Sequence, residues 1–172
     1  MLVARSLANL SACGLLMGLA CLGLVGCSSL PGGGGSGRSD AIHELHLFVS
    51  PVALRSSPSS PPDGLAVRVF ASNRRQAKGV PILAGTLEIL AYDGAPDEAA
   101  RHSLKPSQVW SFPAMKLPPF AVTSSLGTGY ELALPWQGTR PAGSRLTIVA
   151  RHTPVSGPPL FAAPSIMPNA LR

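Results

Sequence analysis

The chain has 172 residues, a formal charge of +6, and 18 glycines and 18 prolines. Its three cysteines all fall within the first 27 residues, which leaves the rest of the chain without a disulfide framework, a cysteine-ligated zinc site or a thiol nucleophile. The cations are dispersed, the densest cluster being Arg74, Arg75 and Lys78, and this favours contact with anionic lipid or glycan over nucleic acid.

Residues 1–26 have the form of a secretory signal. Arg5 is the only charge before an uncharged run from Leu7 to Val25. That run approaches the ~20 residues needed to span a bilayer, so a transmembrane anchor is the competing reading. Against it stand the scattered small residues Gly14, Gly18, Ala20 and Gly23, and the lack of a basic stop-transfer cluster. The run ends in Leu24-Val25-Gly26-Cys27, which resembles the lipobox of bacterial lipoproteins. The resemblance implies cleavage before Cys27, acylation of that cysteine, and a membrane partner reached through acyl chains. Ser28 follows the cysteine, and by family analogy the outer membrane is the expected destination.

Residues 27–40 then read as a tether. Gly32 to Ser39 fits the phosphate-loop spacing G-x-x-x-x-G-K-[ST] with Arg38 in the lysine position. A phosphate loop needs a strand before it and a helix after it to aim backbone amides at the nucleotide. Neither is indicated, so no nucleotide is expected. A Gly/Ser-rich chain of this length spans roughly 20 Å root-mean-square.

From residue 41 to 172 the pattern is that of one β domain. Residues 42–50 alternate, placing His43, Leu45, Leu47 and Val49 on one face. A proline-rich loop follows, and Leu65, Val67, Val69 and Ala71 share a face in the next strand. Residues 73–79 form a basic turn. Thr86 to Tyr92 is the clearest strand and ends in Asp93-Gly94. Residues 95–107 hold one short helix, with Asp97 as N-cap and Pro106 as its stop. Strands follow near 108–112, at Tyr130 to Trp136, and at Arg145 to His152, the last with Leu146, Ile148 and Ala150 inward and Thr147 outward. The C-terminal segment adds a proline-broken edge. About seven strands at this spacing indicate a two-layer antiparallel sandwich of immunoglobulin or transthyretin type.

Chemistry-bearing motifs are sparse. His43-Glu44-Leu45-His46 is one residue short of H-E-x-x-H, and on a strand its imidazoles point to opposite faces. Asp93, Asp97 and Glu98 lack the oxygen spacing of a calcium loop. Glu44, Glu88 and Glu131 are the carboxylates a glycosidase pair would require. No G-x-S-x-G occurs. No metal, cofactor or catalytic residue is expected. Phe120, flanked by Pro118 and Pro119, is the candidate aromatic contact for a partner, with Arg74 and Arg75 as candidate cationic contacts. Residues 45–51 and 64–70, LHLFVSP and GLAVRVF, are similar to the opening strands of the transthyretin-like outer-membrane lipoprotein of type VI secretion systems. Such a protein would be an assembly component. The expected function is a non-enzymatic, lipid-anchored module that docks an envelope protein. A glycan- or small-ligand-binding module is the alternative.

Overall fold

The computed structural model describes residues 41–169 apart from 51–53, 56, 61–62 and 140, so the expected leader, Cys27 and the expected tether lie outside the described residues. Among the described residues nine strands are formed: β1 (Ile42–Val49), β2 (Gly64–Asn73), β3 (Thr86–Asp93), β4 (Gln108–Pro113), β5 (Ala121–Ser124), β6 (Gly127–Pro135), β7 (Arg145–Thr153), β8 (Leu160–Phe161) and β9 (Ser165–Pro168). One sheet has the order β1-β2-β6-β5 and the other β4-β3-β7-β8, with β9 also on β7. Every strand pair is antiparallel. This is the immunoglobulin order, A-B-E-D facing C-F-G, with β4 added beside the C strand and β8 and β9 together in the place of G.

Alternation builds the core. Leu65, Val67, Val69, Leu132 and Leu134 project from one sheet, and Leu87, Ile89, Leu146, Ile148 and Ala150 from the other, all buried in one cluster. Burying each large aliphatic side chain contributes about 1.5–3 kcal/mol. With no thiol after Cys27 to form a cross-link, this interleaving is the main stabilising term. Trp110 and Trp136 meet edge-to-face at 5.5 Å beside it, and Trp110 Nε1 donates to the Pro135 carbonyl at 2.8 Å.

Four departures from the sequence pattern have local causes. A register shift between Ile42 and Glu44 turns Ile42 toward the core and leaves His43 exposed, so His43 does not share the face of Leu45. Thr147 does point to the outer face of its sheet but is fully buried there, because the turn after β3 lies across it. The helix α1 (Glu98–Ser103) has the expected cap, with Asp97 Oδ1 accepting from Ala100 N at 2.7 Å, yet it stops at Ser103, before Pro106. The strand β5 is additional. It starts directly after the second of two 3-10 turns, Ala114–Lys116 and Pro118–Phe120, and returns to β6 through a tight hairpin, where Gly127 adopts φ 93°.

Candidate functional site

The outer face of the β1-β2-β6-β5 sheet carries an apolar groove of about 670 Å³. It is built from three strands whose registers place the side chains. His46 pairs with Phe70, Phe48 with Arg68, and Arg68 with Glu131. Phe48 is 55% exposed and sets its edge against Phe70 at 6.0 Å between centroids and 87°. Phe70 points outward and is nevertheless only 4% exposed. Space for its ring exists because Gly129 lies opposite: a Cβ there would stand 2.6 Å from Phe70 Cε1. Leu126, at the β5–β6 hairpin, and Ala66 and Ala133 complete the apolar lining. Across the groove floor Arg68 Nη2 donates to Glu131 Oε1, so the two charges answer each other in an otherwise apolar surface. Both side chains are about half exposed, and such a pair contributes about 0–1 kcal/mol. Its consequence is polarity at a fixed place more than stability.

A second concavity, of about 550 Å³, lies on the outer face of the other sheet. Leu90, Tyr92 and Val149 form a small buried cluster there, bordered by Arg101 and Leu104 on the helix side and by Phe161 on the strand side. Arg151 Nε donates to Glu88 Oε2 at 2.8 Å at its margin.

The residues singled out in the sequence are dispersed by the fold. Phe120 is 36% exposed, with its ring edge-to-face on Phe112 at 5.7 Å, so it is part packed and part presented. Arg74 and Arg75 are exposed in a turn whose shape is held by Asn73, the Oδ1 of which accepts from Arg75 N at 3.0 Å and Gln76 N at 2.9 Å. His46 Nε2 lies 3.6 Å from Glu44 Oε2, and His43 stands apart at the register shift. Glu88 and Glu131 occupy opposite sheets, each bound to its own arginine. Asp93 accepts from Ala142 N and Gly143 N, and Asp97 caps the helix, so both have structural work. Among the described residues no group of three or more His, Cys, Asp or Glu side chains is placed to hold a metal ion. His152 is buried, its Nε2 3.0 Å from the Ala84 carbonyl oxygen.

The titration of Tyr130 is displaced. Burial pushes its phenol above the ordinary value, and the Ile82 N–H donated to its oxygen at 2.7 Å opposes that shift in part. The hydroxyl ties the β2–β3 connection to the core and does not open onto either concavity.

The groove residues Phe48, Phe70 and Leu126 are the ones that sequence reasoning missed. A signal for Phe48 existed, since alternation inward at Leu45, Leu47 and Val49 forces an aromatic ring outward between them. The pairing that brings Phe70 and Leu126 beside it is a tertiary fact.

The fold and its grooves thus define an immunoglobulin-ordered β-sandwich with an apolar groove on one outer face and a mixed polar and apolar concavity on the other. Set beside protein-family models, curated proteins and solved structures, the chain matches none of them.

Proposed function

We propose that the chain is a lipid-anchored lipoprotein of the bacterial envelope, held at the outer membrane through Cys27, whose non-catalytic sandwich docks a protein partner. The anchor rests on the sequence Leu24-Val25-Gly26-Cys27 and the Gly/Ser-rich stretch after it. The observation that carries the docking role is the groove around Phe48. It presents an exposed aromatic ring over a buried one, a half-exposed ion pair across its floor and small alanines on either side. An apolar surface with a single charge-paired point suits an apolar segment of a protein with one polar group to match Arg68 or Glu131. A sugar site would need more hydrogen-bonding groups converging than this lining offers.

Metabolic labelling with a fatty acid tests the anchor. Label should enter the wild-type protein and be lost from Cys27→Ser. A photo-crosslinking residue at position 48, introduced into the same cells, should then give one discrete protein adduct, while the same residue at position 105 should not. Label retained in Cys27→Ser removes the anchor. Absence of an adduct at 48, or equal adducts at both positions, removes the docking role.

A further inference from the structure

The two ends of the sandwich differ in charge, and the strand register shows which end the tether leaves. Ile42, where the chain enters the sheet, pairs with Asn73 at the end of β2. The basic turn follows Asn73 directly, so Arg74, Arg75 and Lys78 stand beside the point of attachment, all exposed. The β5–β6 hairpin is stitched to the same place, with Gly79 N donating to the Leu126 carbonyl at 2.7 Å and Thr128 N to the Gly79 carbonyl at 2.9 Å. In the other sheet Thr86 pairs with both Pro113 and Thr153, which brings Lys116 and Val155 to this end as well.

The loops gathered here, residues 73–85, 113–127 and 153–160, contain four cations and no carboxylate. The acids on the strands that lead into this end are paired, Glu44 beside His46 and Glu88 bound to Arg151, and Asp40 precedes the first strand in sequence. Large apolar side chains project from the same loops: Leu83, Met115, Leu126 and Val155 are all exposed. At the opposite end, where Gly64 pairs with Pro135 and Asp93 with Leu146, the acids Asp63, Asp93, Asp97 and Glu98 lie among the cations Arg55, Arg101, Lys105 and Arg145, so charge there is close to balanced.

We infer that the tethered end of the sandwich is a membrane-docking surface for anionic phospholipid, with Arg74, Arg75, Lys78 and Lys116 meeting the headgroups and the apolar loop tips entering the interface. This rests on the lipid anchor at Cys27. From Cys27 to Ile42 is 15 residues, about 20 Å root-mean-square for a flexible chain. The opposite end stands a further strand length away, roughly 27 Å for eight residues. Tethering therefore concentrates this end at the bilayer, and charge complementarity decides that it stays. Docking would take up Leu126 at the groove's near edge and leave Phe48, on a side face, open to a partner.

The test uses the full-length protein, purified with its lipid and reconstituted in vesicles of phosphatidylcholine alone or enriched in phosphatidylglycerol. Leu126→Cys or Lys105→Cys supplies the one thiol outside the leader and anchor for a fluorophore, and nitroxide-labelled lipid reports its contact with the bilayer. Quenching is expected at 126 in phosphatidylglycerol vesicles and not at 105. It should fall in high salt and in Arg74→Glu/Arg75→Glu/Lys78→Glu, at about fivefold in docking equilibrium per cation removed. Flotation reports the anchor separately. A protein that floats with neutral vesicles but shows no quenching at 126 on anionic ones keeps its anchor and overturns the docking surface. One that floats only with anionic vesicles and is quenched at 126 supports docking and overturns the anchor. Equal quenching at 126 and 105, or quenching at 126 indifferent to lipid charge and to the triple variant, overturns the inference.

Discussion

Thr147 Oγ1 donates a hydrogen bond of 2.9 Å to the carbonyl of Gly94, fastening the outer face of β7 to the turn that ends β3. Gly94 in turn donates its N–H to the Arg145 carbonyl at 2.9 Å, so the turn is held at both its polar groups. A strand position that alternation assigns to the outside is thereby a structural one.

Both faces of β7 should therefore respond to truncation. Ile148→Ala removes a fully buried branched side chain and should cost about 2–5 kcal/mol through lost burial and the residual cavity. Thr147→Val keeps the shape but strands the Gly94 carbonyl, at a cost of about 1–3 kcal/mol. Arg145→Ala, on an exposed position of the same strand, should stay within about 0.5 kcal/mol. Urea unfolding of the three variants checks the order. A Thr147→Val variant as stable as wild type would mean that the bond to Gly94 contributes nothing.

Gly129 makes the groove possible, and its replacement should show this. A Cβ at Gly129 would meet three atoms of the Phe70 ring within 3 Å, so Gly129→Ala should destabilise by about 1–3 kcal/mol through overpacking. Adding Phe70→Leu to Gly129→Ala should recover part of the loss, and the double-mutant cycle should give a favourable coupling. Additive losses would place the strain elsewhere, in the backbone of β6.

Tyr130 sets an alkaline limit. Its phenol titrates above the ordinary value of 10.0 because it is buried. Above about pH 10 the unfolded chain releases this proton while the folded chain holds it, so the native state binds more protons and stability falls as pH rises. The contribution is fully present below pH 10 and is lost on passing through the raised folded value. Tyr130→Phe should abolish that part of the alkaline slope while costing about 1–3 kcal/mol at neutral pH, since the buried Ile82 N–H loses its acceptor. Thermal melts between pH 7 and pH 11 check the sign. An unchanged alkaline slope in Tyr130→Phe would contradict it.

Much of the sandwich is legible in the sequence because its strands alternate cleanly. Leu146, Ile148 and Ala150, Tyr130, Leu132 and Leu134, and the Asp97 cap all follow from local rules, and the structure places them accordingly. The failures occur where a neighbour overrides the local pattern. Thr147 is buried by a turn 53 residues away in sequence. His43 is displaced by a register shift that no residue type announces. The strand β5 is four residues long and hidden behind two prolines, so its pairing with β6 supplies the signal that its composition lacks. The candidate site was less legible. The prolines around Phe120 mark one exposed aromatic, and Phe48, on a regular strand with no such punctuation, is exposed further.

Anchoring at Cys27 is the claim on which membrane placement and the docking of the tethered end both depend. It is tested most directly by the intact mass of the protein extracted from bacterial membranes, with sequencing of its N-terminal peptide. Lipid anchoring predicts a chain that begins at Cys27 and carries the added mass of its acyl groups on that residue. A chain that retains residues 1–26, or one cleaved at another position with Cys27 unmodified, would contradict it.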